Sequence, residues 1–266
     1  AFSGKTNGFF NSKSRMNRQG VPARPYSSSC LIQFMGNNIA SACSAPHGIN
    51  SNEMSVEWLF FGRMRILLID NHDSFTYNLV QSIKASGFNR PDIVKNDALT
   101  QNLGSVYDAI VISPGPGLPE TAGELMPFLT EWVGKKPILG VCLGHQALGV
   151  ILGGRLRQLN HILHGEISEM TQLQRDPLFT DIPQKFPAGR YHSWVLDEKT
   201  LPTELIPLCQ DPDGHIMAFR HVSQPTYGIQ FHPESYMTPV GERLIHNWLG
   251  FAARNKNGES GLEIGC

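Results

Sequence analysis

An α/β fold, with a mixed, mostly parallel central sheet flanked by helices, is the architecture that this 266-residue sequence predicts. Three observations carry the prediction. Short, nearly continuous apolar runs recur from Arg65 onward, as strands buried on both faces require. Helix-period segments separate those runs, and strands alternating with helices imply parallel pairing. One run ends in Gly140-Val-Cys142-Leu-Gly144 and leads into a helical stretch, the strand–turn–helix setting of a nucleophile elbow.

The elements follow in chain order. Arg65 to Asp70 reads as the first strand and enters Asn71-His-Asp-Ser74, residues suited to turns and helix caps. Phe75, Leu79 and Ile83 recur every four positions and lay one apolar stripe along a helix ending near Gly87. Asp92 to Lys95, Ala109 to Ser113 and Pro137 to Val141 are the next three strands. Residues 120–134 are expected to form a helix with Pro127 a candidate kink, and Gln146 to Leu152 another. Segments 163–170, 216–221 and 227–231 read as antiparallel additions that make the sheet mixed. No internal repeat is visible.

Composition narrows the function. The 22 Lys+Arg against 23 Asp+Glu argue against a general nucleic-acid binder, which needs a basic face. No apolar run approaches the ~18 residues of a membrane span, so no membrane association is expected. The 5 cysteines, at positions 30, 43, 142, 209 and 266, fit neither a disulfide framework nor a zinc ribbon and point to a reducing compartment. Residues 1–52 carry Lys5, Lys13, Arg15, Arg18 and Arg24 but no acidic residue, are rich in Ser, Asn and Gly, and have no sustained period. Residues 1–63 are therefore read as a transit-like leader, or as upstream sequence ahead of a domain that begins at Met64. The folded domain is expected over 64–254 and a polar tail over 255–266. Cytoplasm is the expected compartment, with the plastid as the alternative if residues 1–52 are a true transit peptide.

The chemistry gathers around Cys142. Gly140 and Gly144 allow a turn so tight that neighbouring side chains would collide with it, and the turn would hold Cys142 in strained geometry at its tip. A helix N-terminus there lowers a thiol's pKa and offers backbone N–H groups to an oxyanion. For this segment alone, a buried cysteine at a Gly-rich strand end is the alternative. His232 follows the strand Tyr227-Gly-Ile-Gln-Phe231 and opens His232-Pro-Glu234. Residues two apart in an extended segment point the same way, so Glu234 can hold one imidazole nitrogen while the other faces Cys142. Here a surface His-Pro turn is the alternative. His145, on the outgoing helix, is read as a packing or supporting residue. His161 and His164 have no third ligand nearby and are read as solvated or structural. Ser113-Pro-Gly-Pro-Gly117, directly after a strand, can present bare amides to a carbonyl oxygen, or can be a plain turn. Asp70, Asn71 and Asp73 are expected to cap the following helix rather than hold a metal, and no metal site is assigned.

Five segments occur in one order: Asp70-Asn-His-Asp-Ser-Phe-Thr-Tyr-Asn78, Ser113 to Gly117, Pro137-Ile-Leu-Gly-Val-Cys-Leu-Gly-His-Gln-Ala147, Arg190-Tyr-His-Ser193 and Gly228-Ile-Gln-Phe-His-Pro-Glu-Ser235. From about Met64 to Leu249 the chain thereby resembles the class I glutamine amidotransferases, and more narrowly component II of anthranilate synthase and of aminodeoxychorismate synthase. The resemblance implies that Cys142 attacks the side-chain amide of glutamine, that His232 handles the protons and that Glu234 orients it. It implies an oxyanion hole at Gly115 and Leu143, and glutamine binding by Gly115, Pro116, Gly117, Gln146, Ser193 and Trp194. It also implies a component I partner that binds chorismate and Mg²⁺, with no cofactor in this chain. Supply of 4-amino-4-deoxychorismate for folate synthesis is the alternative to anthranilate for tryptophan. A non-catalytic interaction subunit is the alternative from another class, opposed by the intact Cys142, His232 and Glu234. A different cysteine hydrolase with the same elbow is opposed by the Ser113–Gly117 loop. Two residues depart from the family pattern: Glu166 in His164-Gly-Glu166, often lysine, and Trp194, often leucine.

Overall fold

The computed structural model describes residues 64–160 and 163–256. Expectations for residues 1–63, for His161 and for 257–266 lie outside the described residues. Among the described residues eleven strands occur, in the order β1 (Ile66–Asp70), β2 (Asp92–Lys95), β3 (Ala109–Ile112), β4 (Ile138–Val141), β5 (Leu156–Gln158), β6 (Glu166–Gln172), β7 (Lys185–Arg190), β8 (Trp194–Leu196), β9 (Leu205–Gln210), β10 (Ile216–His221) and β11 (Thr226–Ile229). The α-helices are α1 (Thr76–Ala85), α2 (Leu125–Trp132), α3 (Leu143–Ile151) and α4 (Gly241–Lys256).

Nine strands form one sheet in the order β2-β1-β3-β4-β11-β10-β9-β6-β7, and β5 pairs with β8 apart from it. The run from β2 to β11 is parallel; β10, β9, β6 and β7 continue it antiparallel. The apolar runs explain the central position of β1, β3 and β4. In β1, Ile66 and Leu68 enter the core on one face while Leu67 and Ile69 enter the core on the other. The first face also buries Leu79 and Ile83 of α1 and Trp248 and Leu249 of α4. The second buries Phe128 and Leu129 of α2 with Ala147 and Leu148 of α3. Each face of the parallel half is thus covered by a helix pair.

Several expectations are corrected. The segment 227–231 was read as antiparallel; β11 is antiparallel only to β10 and pairs parallel with β4, Gly228 opposite Gly140. The helix expected over 120–134 is confined to Leu125–Trp132, after a 3-10 turn at Pro119–Thr121. Pro127 lies in its first turn, where a missing N–H costs nothing, so the sequence gives no reason for a kink there. The helix after the elbow begins at Leu143, ahead of Gln146. Strands β5, β7, β8 and β9 and helix α4 have no counterpart among the expected elements, and α4 runs to Lys256, two residues past the expected domain end. Among the described residues, no helix is long and apolar enough to cross a membrane.

Candidate active site

Parallel strands share one direction, so their C-terminal ends lie on one edge of the sheet, where α/β folds form their clefts. The loops after β1, β3, β4 and β11 meet there. Cys142 stands between β4 and α3 with φ 52° and ψ −101°, a left-handed conformation that a side chain disfavours and that packing must hold. The glycines around it are forced by proximity. A Cβ on Gly140 would lie 2.3 Å from the Gly144 carbonyl carbon, and one on Gly144 2.8 Å from Ile112 Cβ. The Cys142 N–H donates to the Ile229 carbonyl at 2.8 Å, which extends the β4–β11 register by one step and sets the exit of β11 beside the thiol.

That register brings His232 to the thiol. Its Nδ1 lies 2.7 Å from Glu234 Oε1, and both side chains are buried. The loop is tied down by Thr238 Oγ1 donating to the His232 carbonyl at 2.7 Å and by the His232 N–H donating to the Gly189 carbonyl at 3.0 Å. Burial pulls the imidazole down, but the facing Cys142 sulfur and the Glu234 carboxylate pull it up by more, and it stands well above the ordinary histidine range. Rings of Tyr191 and Phe75 pack edge-on against it, with centroids 4.8 and 5.6 Å away. His145 and His192 are equally buried and behave oppositely. Burial takes both to about 3, with the Arg190 charge helping at His192, so both stay neutral.

The loop after β3 forms the third side. A Cβ on Gly115 would lie 2.5 Å from Asn71 Cβ and 2.7 Å from Leu143 Cδ2, so only bare backbone fits. Asn71 braces this loop: its N–H donates to Ser113 Oγ at 2.9 Å and its Nδ2 to the Ser113 carbonyl at 2.8 Å. Asn71 therefore does not cap α1 as expected; Asp73 Oδ1, accepting from the Phe75 N–H at 2.7 Å, serves the start of that helix. Leu143 is the first residue of α3, and its N–H has no carbonyl partner within the helix.

Between these loops lies a cleft of about 190 Å³ lined by Gly115, Pro116, Gly117, Cys142, Gln146, Tyr191, His192, Ser193 and Trp194. Every residue assigned from sequence to glutamine binding is among them. Gln146 Nε2 donates to the Trp194 carbonyl at 3.0 Å, and His192 Nδ1 lies 3.0 Å from the same oxygen. Only the protonated nitrogen can face a carbonyl, so Nδ1 carries the His192 hydrogen, and Nε2 accepts from Arg190 Nε at 3.2 Å. Arg190 is in turn paired with buried Asp211 at 2.8 Å.

The model of the family glutamine amidotransferase class-I matches residues 67–250. The chain belongs to the class I glutamine amidotransferases. The domain is 42% identical over 193 residues to anthranilate synthase component 2 of Lactococcus lactis, covering 72% of this chain and 96% of that protein. It is 40% identical over 190 residues to anthranilate synthase component 2 of Saccharolobus solfataricus, covering 69% of this chain and 96% of that one. A solved glutamine amidotransferase structure from Thermotoga maritima shares the fold, with a TM-score of 0.58 and 16% identity over 71% of this chain and 98% of its own.

Within the amidotransferase domain, Tyr191, His192 and Gln230 had not been assigned to the site. Tyr191 and His192 belong to the Arg190–Ser193 segment already noted in the sequence, and Gln230 lies two residues before His232, at the bend that follows β11. Of the two departures, Trp194 lines the cleft while Glu166 is exposed on β6 and does not. His164 is likewise exposed, its ring edge-on to Tyr191 at 5.6 Å.

Proposed function

We propose that the chain is a glutaminase subunit that hydrolyses glutamine through Cys142, His232 and Glu234 and delivers the ammonia to a chorismate-using component I for anthranilate synthesis. The observation that carries this reading is the strained elbow at Cys142 facing an imidazole whose Nδ1 is held by Glu234 at 2.7 Å. In this mechanism the Cys142 sulfur attacks the side-chain amide carbon, and its proton resides on His232 Nε2. The oxygen that becomes negative is held by the N–H groups of Gly115 and Leu143. His232 then protonates the departing nitrogen, ammonia leaves, and a γ-glutamyl thioester remains on Cys142. Water, deprotonated by His232, attacks that thioester, and glutamate leaves as the thiolate re-forms. Glu234 keeps the imidazole oriented and stabilises its cationic form. Pro116, Gly117, Gln146, Ser193 and Trp194 surround the rest of the glutamine. Chorismate and Mg²⁺ belong to the partner. The relatives' shared name supports the anthranilate branch.

The test mixes the full chain with an anthranilate synthase component I, chorismate, Mg²⁺ and glutamine, and follows glutamate and anthranilate together. Both products are expected. With Cys142→Ser, glutamine-dependent synthesis falls at least ~10³-fold while ammonia-dependent synthesis persists. Glutamine use that survives this change would overturn the assignment of the nucleophile. Glutamate without anthranilate would keep the chemistry and move the partner to the aminodeoxychorismate branch.

A further inference from the structure

Gln230 lies one residue beyond β11 and is wholly buried. Its main-chain N–H donates to the Met217 carbonyl at 2.8 Å, which fixes it against β10. Its side-chain Nε2 donates to Cys142 Sγ at 3.7 Å, and its Oε1 accepts from Gln146 Nε2 at 3.2 Å. Gln230 and His232 thus approach the sulfur from the one bend that follows β11, the first as a neutral donor and the second as the base. We infer that Gln230 is a positioning residue for the nucleophile: its N–H···S hydrogen bond holds the Cys142 sulfur and favours its anionic form, while Gln146 ties the same amide to the cleft wall at Trp194.

The chemistry suits an amide. A thiolate accepts a hydrogen bond more strongly than a thiol does, so a donor at this place favours ionisation. An uncharged donor does so without taking the proton that His232 must hold. A buried amide also needs its oxygen satisfied, and Gln146 satisfies it. The titratable groups around the sulfur are His232, with Glu234 behind it, and the neutral His145 and His192, with Arg190 behind the latter. The donor acts twice in the proposed reaction, on the attacking thiolate and on the thiolate released when the thioester is hydrolysed. The effect on turnover rests on the reading above; the effect on the sulfur does not.

The experiment measures iodoacetamide alkylation of the full chain from pH 5 to pH 9, read on the peptide that carries Cys142, for the wild type, Gln230→Met and Gln230→Glu. Gln230→Met keeps the volume and removes the donor; the acid limb of the profile is expected to move up by about one pH unit. Gln230→Glu keeps an acceptor for Gln146 but sets a carboxylate against the sulfur, and a larger upward shift is expected. A residue that merely braced Gln146 would leave the acid limb of Gln230→Met where the wild type has it. Buried Cys209 reports folding in the same samples, because it reacts only if the core opens. Profiles that overlay the wild type while Cys209 stays protected would overturn the inference. If both variants open, the wild type decides by NMR: the Gln230 side-chain amide protons shift with Cys142 ionisation if the bond exists, and their indifference overturns it. Shifted profiles in a chain that does not hydrolyse glutamine would keep this inference and reject the proposed function.

Discussion

In the parallel half of the sheet, β1, β3, β4 and β11 each end in a loop that forms or braces the cleft. In the antiparallel half, only the stretch after β7 reaches it, carrying Tyr191 to Trp194. The contrast follows from direction. Parallel strands bring every C-terminus to one edge, whereas antiparallel strands alternate and offer that edge only every second end. The antiparallel half contributes support from behind instead: Arg190 at the end of β7 and Asp211 after β9 form a buried pair whose charge stands next to His192. On the proposed mechanism the reacting atoms come from one half, and part of the cleft wall is braced by the other.

The comparison can be broken first at that brace. Arg190→Met removes the buried guanidinium, while Asp211 keeps His215 Nδ1 at 2.8 Å and the N–H groups of Asp213 and His215, and urea unfolding is expected to show a loss of about 2–3 kcal/mol. If the halves divide their labour as described, the surviving folded protein shows a raised KM for glutamine, because the wall is loosened, with a smaller change in kcat. An equal fall in kcat at unchanged KM would mean that the antiparallel half acts on the chemistry itself.

A pair of alanine substitutions sharpens it next. In the parallel half, Gly140→Ala drives a Cβ to 2.3 Å from the Gly144 backbone. The helix behind Cys142 must shift, with an expected cost of about 1–3 kcal/mol and loss of most glutaminase activity. In the antiparallel half, Gly214, between β9 and β10, has φ +84° and nothing within 4 Å of an added Cβ. Gly214→Ala is therefore expected to cost roughly 1 kcal/mol of backbone strain and to leave glutamine hydrolysis intact. Thermal unfolding and glutamate release on the two variants check this.

The smallest effect separates the buried histidines. The folded pKa of His145 is lowered from 6.5 to about 3, so below pH 6.5 the unfolded chain binds a proton that the folded chain refuses. Stability then falls on acidification from about pH 6.5 toward 3, by about 1.4 kcal/mol per pH unit from this residue. His145→Asn should flatten the fall in unfolding free energy between pH 6 and 5, read from urea titrations, by about that amount. His232 has the opposite sign: its pKa is raised, so its contribution is complete below 6.5 and is lost as pH rises through its folded value.

How much of this was legible in the sequence differs between the same two halves. Strands β1, β3 and β4 announce themselves because burial on both faces leaves no room for polar residues. Strands β7 and β9 do not, since Pro187 and Pro207 interrupt them and their burial is uneven. Helix α4 was readable in principle: Leu244, Ile245, Trp248, Leu249 and Ala252 repeat at helical spacing. In the site, the turn at Cys142 and the pair His232 and Glu234 could be placed by spacing, because each rests on a local motif. Gln230 is not found by the two-residue period of a strand, because the chain bends at Gln230 and Phe231 and turns at Pro233 and Glu234, so that His232 meets Glu234 across a turn. The Arg190–Asp211 pair could not, because nothing local in sequence tells which buried arginine meets which aspartate.

The position of β11 has a consequence for how the protein comes into being. The strand lies in the middle of the sheet, between β4 and β10, yet it is the last of the described strands in chain order. Until it inserts, Cys142 has neither His232 nor Gln230 beside it, and the two halves of the sheet have no shared edge. A growing or truncated chain that stops before Thr226 therefore carries the thiol without His232, Glu234 and Gln230. On the proposed mechanism, such a chain lacks the base, and glutamine hydrolysis waits for β11 to take its place in the sheet.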